Sequence, residues 1–151
     1  MLAALAQGRR CLVLSQWKEH VHRLAQRLRD AGTEPIVLEG GLAKKIRDRL
    51  LATIQATRPD QDLVVVATGQ YLGEGFDCPQ LDALFLAFPM AFKGKLVQYT
   101  GRLLRPHLGK RRVTVYDYAD TAVAVLHSMH TKRLATTGPS ASLSCPPTRL
   151  T

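Results

Sequence analysis

The sequence predicts an α/β domain: a doubly wound, mostly parallel sheet of about five or six strands flanked by helices. Three observations carry that expectation. Short β-branched apolar runs alternate with amphipathic stretches of helical period. The chain has 151 residues and is 46% hydrophobic, enough for one domain with its own core. The residues just after the first three runs are small, polar or rich in glycine, as at the ligand-bearing carboxyl ends of such sheets.

The apolar runs are "RCLVLS" (10–15), "PIVLEG" (35–40), "DLVVVAT" (62–68), "ALFLAF" (83–88) and "RVTVYDY" (112–118). Between the first two, Trp17, Val21, Leu24 and Leu28 recur at helical spacing, and Gly32 provides a C-terminal stop. Leu42, Ile46, Leu50 and Ile54 repeat every four residues and predict a second helix, ended by Pro59. Both stripes are expected to be core. "DTAVAVLHSMHTKRLA" reads as a closing helix on Val123, Leu126 and Met129. The domain is therefore expected over residues 1–136, with a disordered tail over 137–151, where Ser, Thr and Pro dominate without period.

Lys and Arg number 21 against 12 Asp and Glu, a net charge of +9 that is unevenly placed. Residues 93–112 hold seven basic side chains and no acidic one. Such a stretch suits phosphate, or serves as a solvated face. Cys11, Cys78 and Cys145 are far apart and odd in number, with no C-x-x-C pair, which argues against a disulfide framework and a zinc site. The longest apolar run, "ALFLAFPMAF", is about half the ~20 residues that cross a bilayer, and "MLAALAQGRR" lacks the pattern of a secretory signal. No membrane association is expected, and the location is expected to be cytoplasmic.

The strand ends carry the candidate chemistry. Ser15 and Gln16 follow the first run, and Gly40 and Gly41 follow the second and lead into a helix whose free amides suit a phosphate. The same pair also suits a tight turn. Thr68 ends the third run, Gly73 and Gly75 loosen the backbone after it, and Asp77 precedes Pro79. A carboxylate there suits a ribose hydroxyl, or caps a turn. In "QYTGRLLRP" (98–106), Gln98, Arg102 and Arg105 fall within about 60° of one another on a helix, opposite Leu96, Tyr99 and Leu103.

"CLVLSQWKEHVHRLAQRL", "VVVATGQYLGEGFDCPQLDALFLAFP" and "QYTGRLLRP" resemble motifs IV, V and VI of superfamily 2 helicases, in the right order and across residues 8–136. The pattern is most similar to the DEAD/DEAH-type group that includes restriction subunits and repair translocases, in which motif VI begins with Gln. The resemblance implies a RecA-like fold and the second domain of a two-domain ATPase, with ATP and Mg2+ in the cleft between domains. It implies that Arg102 and Arg105 face the γ-phosphate, with Gln98 in the same cleft, and that Gly75 and Asp77 approach the nucleotide. Thr68 would contact a nucleic-acid phosphate, and Ser15, Gln16, Gly40 and Gly41 would line the track.

The sequence has no G-x-x-x-x-G-K-[ST] loop and no D-E-x-[DH] stretch; "LEGGLAKK" lacks the spacing and the hydroxyl. ATP and Mg2+ are therefore expected to be held mainly by an N-terminal P-loop domain, in cis or in trans, and the chain alone is expected to be inactive. A truncated gene or an excised domain fits that expectation. The expected partner is nucleic acid, DNA in preference to RNA, contacted through its backbone. A non-catalytic module that keeps the fold to bind nucleic acid or a protein is the alternative.

Overall fold

The computed structural model describes residues 1–73, 76–88, 101 and 113–117. Within them lie five strands, β1 (Cys11–Ser15), β2 (Ile36–Leu38), β3 (Val64–Thr68), β4 (Ala83–Leu86) and β5 (Thr114–Asp117). They form one sheet in the order β2-β3-β1-β4-β5, and every neighbouring pair is parallel. All residues of β1, β3 and β4 are buried, which explains why these strands read as unbroken apolar runs rather than as alternating patterns.

The helices are α1 (Leu2–Leu5), α2 (Lys18–Asp30), α3 (Lys44–Ala56) and α4 (Gly69–Gly73). Alternation along the strands divides the core between two faces. Leu12, Leu14, Val65, Ala67, Leu84 and Leu86 pack with Ile54 of α3 and Tyr71 of α4. Cys11, Val13, Val64, Val66 and Phe85 pack with Val21 and Leu28 of α2 and with Ala4 and Leu5 of α1. Across β4 and β5 the rings of Phe85 and Tyr116 stack at 4.3 Å between centroids. The sheet is covered on both faces, and the doubly wound expectation holds.

Glu19 in the first turn of α2 and Arg27 and Arg29 in the last complement the helix dipole. The helix stops as the glycine predicted. The Gly32 N–H donates to Arg29 O at 2.8 Å and the Thr33 N–H to Leu28 O at 2.9 Å, with Gly32 at φ +80°, a left-handed cap that favours glycine.

The two helical stripes are core only in part. Trp17 sits on extended backbone ahead of α2 and is 54% exposed, while Val21 and Leu28 are buried. Leu42 precedes α3, Ile46 is 51% exposed, Leu50 is half-buried, and Ile54 alone of that stripe is fully enclosed. Two short helices also stand where none was read: α1 in "MLAALAQGRR" and α4 in the glycine-bearing segment after β3.

A clamp closes the amino end of the sheet. Asp82 accepts the Arg10 N–H at 2.8 Å and lies 3.5 Å from Arg9 Nε. The Arg9 guanidinium also donates to Thr114 Oγ1 at 2.6 Å and to Asp82 O at 2.9 Å. That of Arg10 reaches Gln80 Oε1, Arg58 O and, at 3.0 Å, Thr57 O. These contacts fix the starts of β1, β4 and β5, so the carboxyl ends emerge in a defined register.

Candidate functional site

In the parallel register Ser15 lies beside Thr68, and Leu38 beside Ala67, so Glu39 and Gly40 leave β2 alongside the end of β3. Three strand ends thereby bring Ser15, Gln16, Gly40, Gly41 and Thr68 to one edge of the sheet. This is the edge where open parallel sheets bind ligands.

The two hydroxyls at this edge are buried and already engaged. Ser15 is 0% exposed; its Oγ lies 2.8 Å from His20 Nδ1 and accepts the Trp17 N–H at 3.4 Å. That spacing is in the range of a nucleophile and its base, but a fully enclosed hydroxyl is out of a substrate's reach. The pair instead locks the turn from β1 into α2. Thr68 Oγ1 accepts the Gly40 N–H at 3.3 Å and holds the next loop.

What the edge presents outward is Gln16, Trp17, Lys18, Gly41 and Gln70, all exposed. Gly41 has φ +92°, which requires glycine, and a Cβ there would lie 3.5 Å from Lys18 Nζ. At Gly40 an added Cβ would meet Gln70 Oε1 at 3.8 Å, an ordinary contact. Glu39 lies 3.9 Å from Lys18 Nζ and 3.0 Å from His22 Nε2, and both of those side chains stay exposed.

Past the glycines, α3 begins at Lys44 with Ala43 as an N-cap that makes no side-chain bond, and its first turn has no acidic residue. Lys44 and Lys45, both exposed, therefore sit at the positive end of the helix dipole, an arrangement that costs stability and favours an anion.

Asp77 is exposed between Phe76 and Cys78, both buried, which pins the segment and turns the carboxylate outward. The Phe76 ring packs tilted against Tyr71 at 6.2 Å. Gly75, Gln98, Arg102 and Arg105 lie outside the described residues, as do the closing helix and the 137–151 tail; Gly101 is helical and exposed. Among the described residues no group of three His, Cys, Asp or Glu is placed to hold a metal, and no helix is long and apolar enough to cross a membrane.

Sequence reasoning missed His20, Gln70 and the outward placement of Trp17. Only the five-residue separation of Ser15 and His20 hinted at the first. Gln70 was hidden because α4 is a short helix directly after β3 in a glycine-bearing segment that reads as loop.

Residues 1–107 match the family described as helicase conserved C-terminal domain. The chain belongs to that family. This helicase C-terminal domain is 25% identical over 123 residues to the transcript termination protein A18 of Fowlpox virus (strain NVSL), a match that covers 82% of this chain and 26% of that protein. The domain thus spans about a quarter of the length of this relative. Its fold is similar to the C-terminal part of the Fun30 ATPase domain (TM-score 0.72, 13% identity, 86% of this chain and 41% of that one). It is also similar to the E. coli DEAD-box protein SrmB, solved bound to regulator of ribonuclease activity A (TM-score 0.65, 24% identity, 82% and 67%).

Proposed function

We propose that this chain acts as the second RecA-like half of an ATP-dependent nucleic-acid helicase or translocase, completed by a P-loop domain supplied in cis or in trans. The observation that carries the reading is the convergence of Gln16, Gly40, Gly41 and Thr68 on one edge of the sheet, next to the uncapped, lysine-bearing start of α3. That edge leads into the first-turn amides of α3 with Lys44 and Lys45 beside them, which suits a phosphate chain read without regard to sequence. Ser15 contributes by holding the turn that presents Gln16.

ATP with Mg2+ would be held mainly by the P-loop domain. When bound, the nucleotide supplies the phosphoryl chemistry. Asp77 would accept from a ribose hydroxyl with Gly75 beside it, and Gln98, Arg102 and Arg105 would face the phosphates from one stripe. DNA is the proposed track, as in translocases of repair or restriction type, and the cytoplasm the proposed location.

The test is reconstitution with the P-loop domain and measurement of DNA-stimulated phosphate release. Arg102→Ala and Arg105→Ala are each expected to lower turnover by about two or more powers of ten, the scale seen when charge stabilising a phosphoryl transition state is removed. The chain alone is expected to release no phosphate above background. Arginine variants with full turnover in the complete assembly would refute the reading.

A further inference from the structure

Trp17 is the only tryptophan in the chain, and it stands where a helical stripe would bury it and the fold does not. Its backbone is extended (φ −111°, ψ 133°) because it occupies the N-cap of α2, directly after the carboxyl end of β1. That backbone is held on both sides. The Trp17 N–H donates to the buried Ser15 Oγ at 3.4 Å, and the Trp17 C=O accepts the Val21 N–H at 3.0 Å. The turn is fixed while the residue stays 54% exposed.

Nothing in the helix explains the choice of residue. Trp17 makes no side-chain cap bond at a position where Ser, Thr, Asp or Asn would satisfy an amide. The residue that follows is a cation: Lys18 is exposed, and its Nζ comes within 3.5 Å of where a Gly41 Cβ would stand. An exposed indole, followed in sequence by an exposed lysine whose ammonium lies near Gly41 and 3.9 Å from Glu39 Oε1, supplies chemistry for the two halves of a nucleotide unit, base and phosphate.

We propose that Trp17 is a stacking platform for one base of a single-stranded nucleic acid, with Lys18 on an adjoining phosphate. The proposal rests on the reading of this edge as a nucleic-acid track and adds what the track recognises. Within a duplex each base face is covered by its neighbours, so an exposed indole selects a single strand or a strand end. Stacking is tolerant of sequence because every base has a π-face, which is compatible with backbone reading elsewhere on the edge.

With one tryptophan, the emission of the full chain reports on Trp17 directly. The full chain is titrated at low salt with a short oligothymidylate and with an abasic oligomer of equal length, and affinities are read from the anisotropy of labelled oligomers. Oligothymidylate is expected to quench the emission and to bind about tenfold or more tighter than the abasic oligomer, the scale of one base stacked on an aromatic side chain. Trp17→Ala is expected to bring that ratio close to one with the melting temperature unchanged, and Trp17→Phe to keep most of it. Equal affinities and equal emission changes for the two oligomers in the parent chain would overturn the stack and leave the track reading standing. Failure of both oligomers to bind would overturn both. Quenching by ATP alone at the same concentrations would assign the ring to the nucleotide cleft and overturn the proposal. Should Trp17→Ala fail to fold, the comparison of oligomers on the parent chain still decides the matter.

Discussion

The Gly40 N–H donates to the Thr68 hydroxyl at 3.3 Å, tying the loop after β2 to the last residue of β3. Thr68 is buried and Gly40 half-buried, so removing the hydroxyl leaves an amide that water reaches only in part. Thr68→Val is expected to cost about 1 kcal/mol in urea denaturation, the net worth of one hydrogen bond. If the loop positions amides for phosphate, the same variant weakens oligonucleotide binding by about tenfold, and Thr68→Ser restores both. A variant that loses stability and keeps full affinity would confine this bond to the fold.

Asp82 joins the starts of three strands through Arg9 and Arg10 and is largely enclosed. Asp82→Ala strands the Arg10 amide and removes the carboxylate beside Arg9, whose bonds to Thr114 and to the backbone oxygen of residue 82 remain, and is expected to destabilise by about 1 to 3 kcal/mol. The amino and carboxyl ends of the sheet are opposite, so oligonucleotide affinity at low temperature should hardly change. Urea melts alongside anisotropy separate the two. A large affinity loss in a fully folded variant would show that the clamp governs the far edge.

The sheet was legible because its chemistry is repetitive: each of the five runs became a strand, and burial of β1, β3 and β4 on both faces left no alternation to misread there. The glycine stop at Gly32 was legible because φ +80° leaves few other choices. Failures occurred where period alone was asked to decide burial. Trp17 has the period of the α2 stripe but the backbone of a cap, and Ile46 has the period of α3 but lies in its first turn and is exposed. At the site, the residue types at the strand ends were legible and their depth was not. Ser15 was expected to line a track, and the structure encloses it to hold its neighbours. Sequence gives the order of groups along a strand end, whereas exposure depends on what the next helix places above them.

Ile54 and Ile46 make that distinction measurable, because they are the same residue type on one sequence stripe. Ile54 is 1% exposed and packs on the face formed by Leu12, Leu14 and Ala67, while Ile46 is 51% exposed. Ile54→Ala is expected to cost about 2 to 5 kcal/mol through lost transfer energy and a residual cavity. Ile46→Ala should stay within about 0.5 kcal/mol, as surface substitutions do. Equal losses in chemical denaturation would mean that Ile46 is covered in solution.

Cys11 provides a test of the central strand through its proton. Its side chain is fully enclosed at the start of β1, and burial, reinforced by the nearby Asp82 carboxylate, pushes the thiol up from 9.0 to about 12. The folded chain therefore keeps this proton at pH values where the unfolded chain has released it. The sign follows from linkage: above pH 9.0 the unfolded state binds fewer protons, so the contribution of Cys11 is fully present below that value and declines as pH rises towards about 12. Comparing the parent with Cys11→Ala isolates the effect from other titrating groups, and the stability difference between them should shift against the parent between pH 8 and about 10.5. Enclosure also removes the thiolate that reacts with alkylating agents. In iodoacetamide labelling followed by peptide mass spectrometry, Cys11 should remain unmodified at pH 8 until urea unfolds the chain. Rapid labelling of Cys11 in the native state would mean that β1 opens locally, and that the strand carrying Ser15 to the candidate site is less firmly held than its packing indicates.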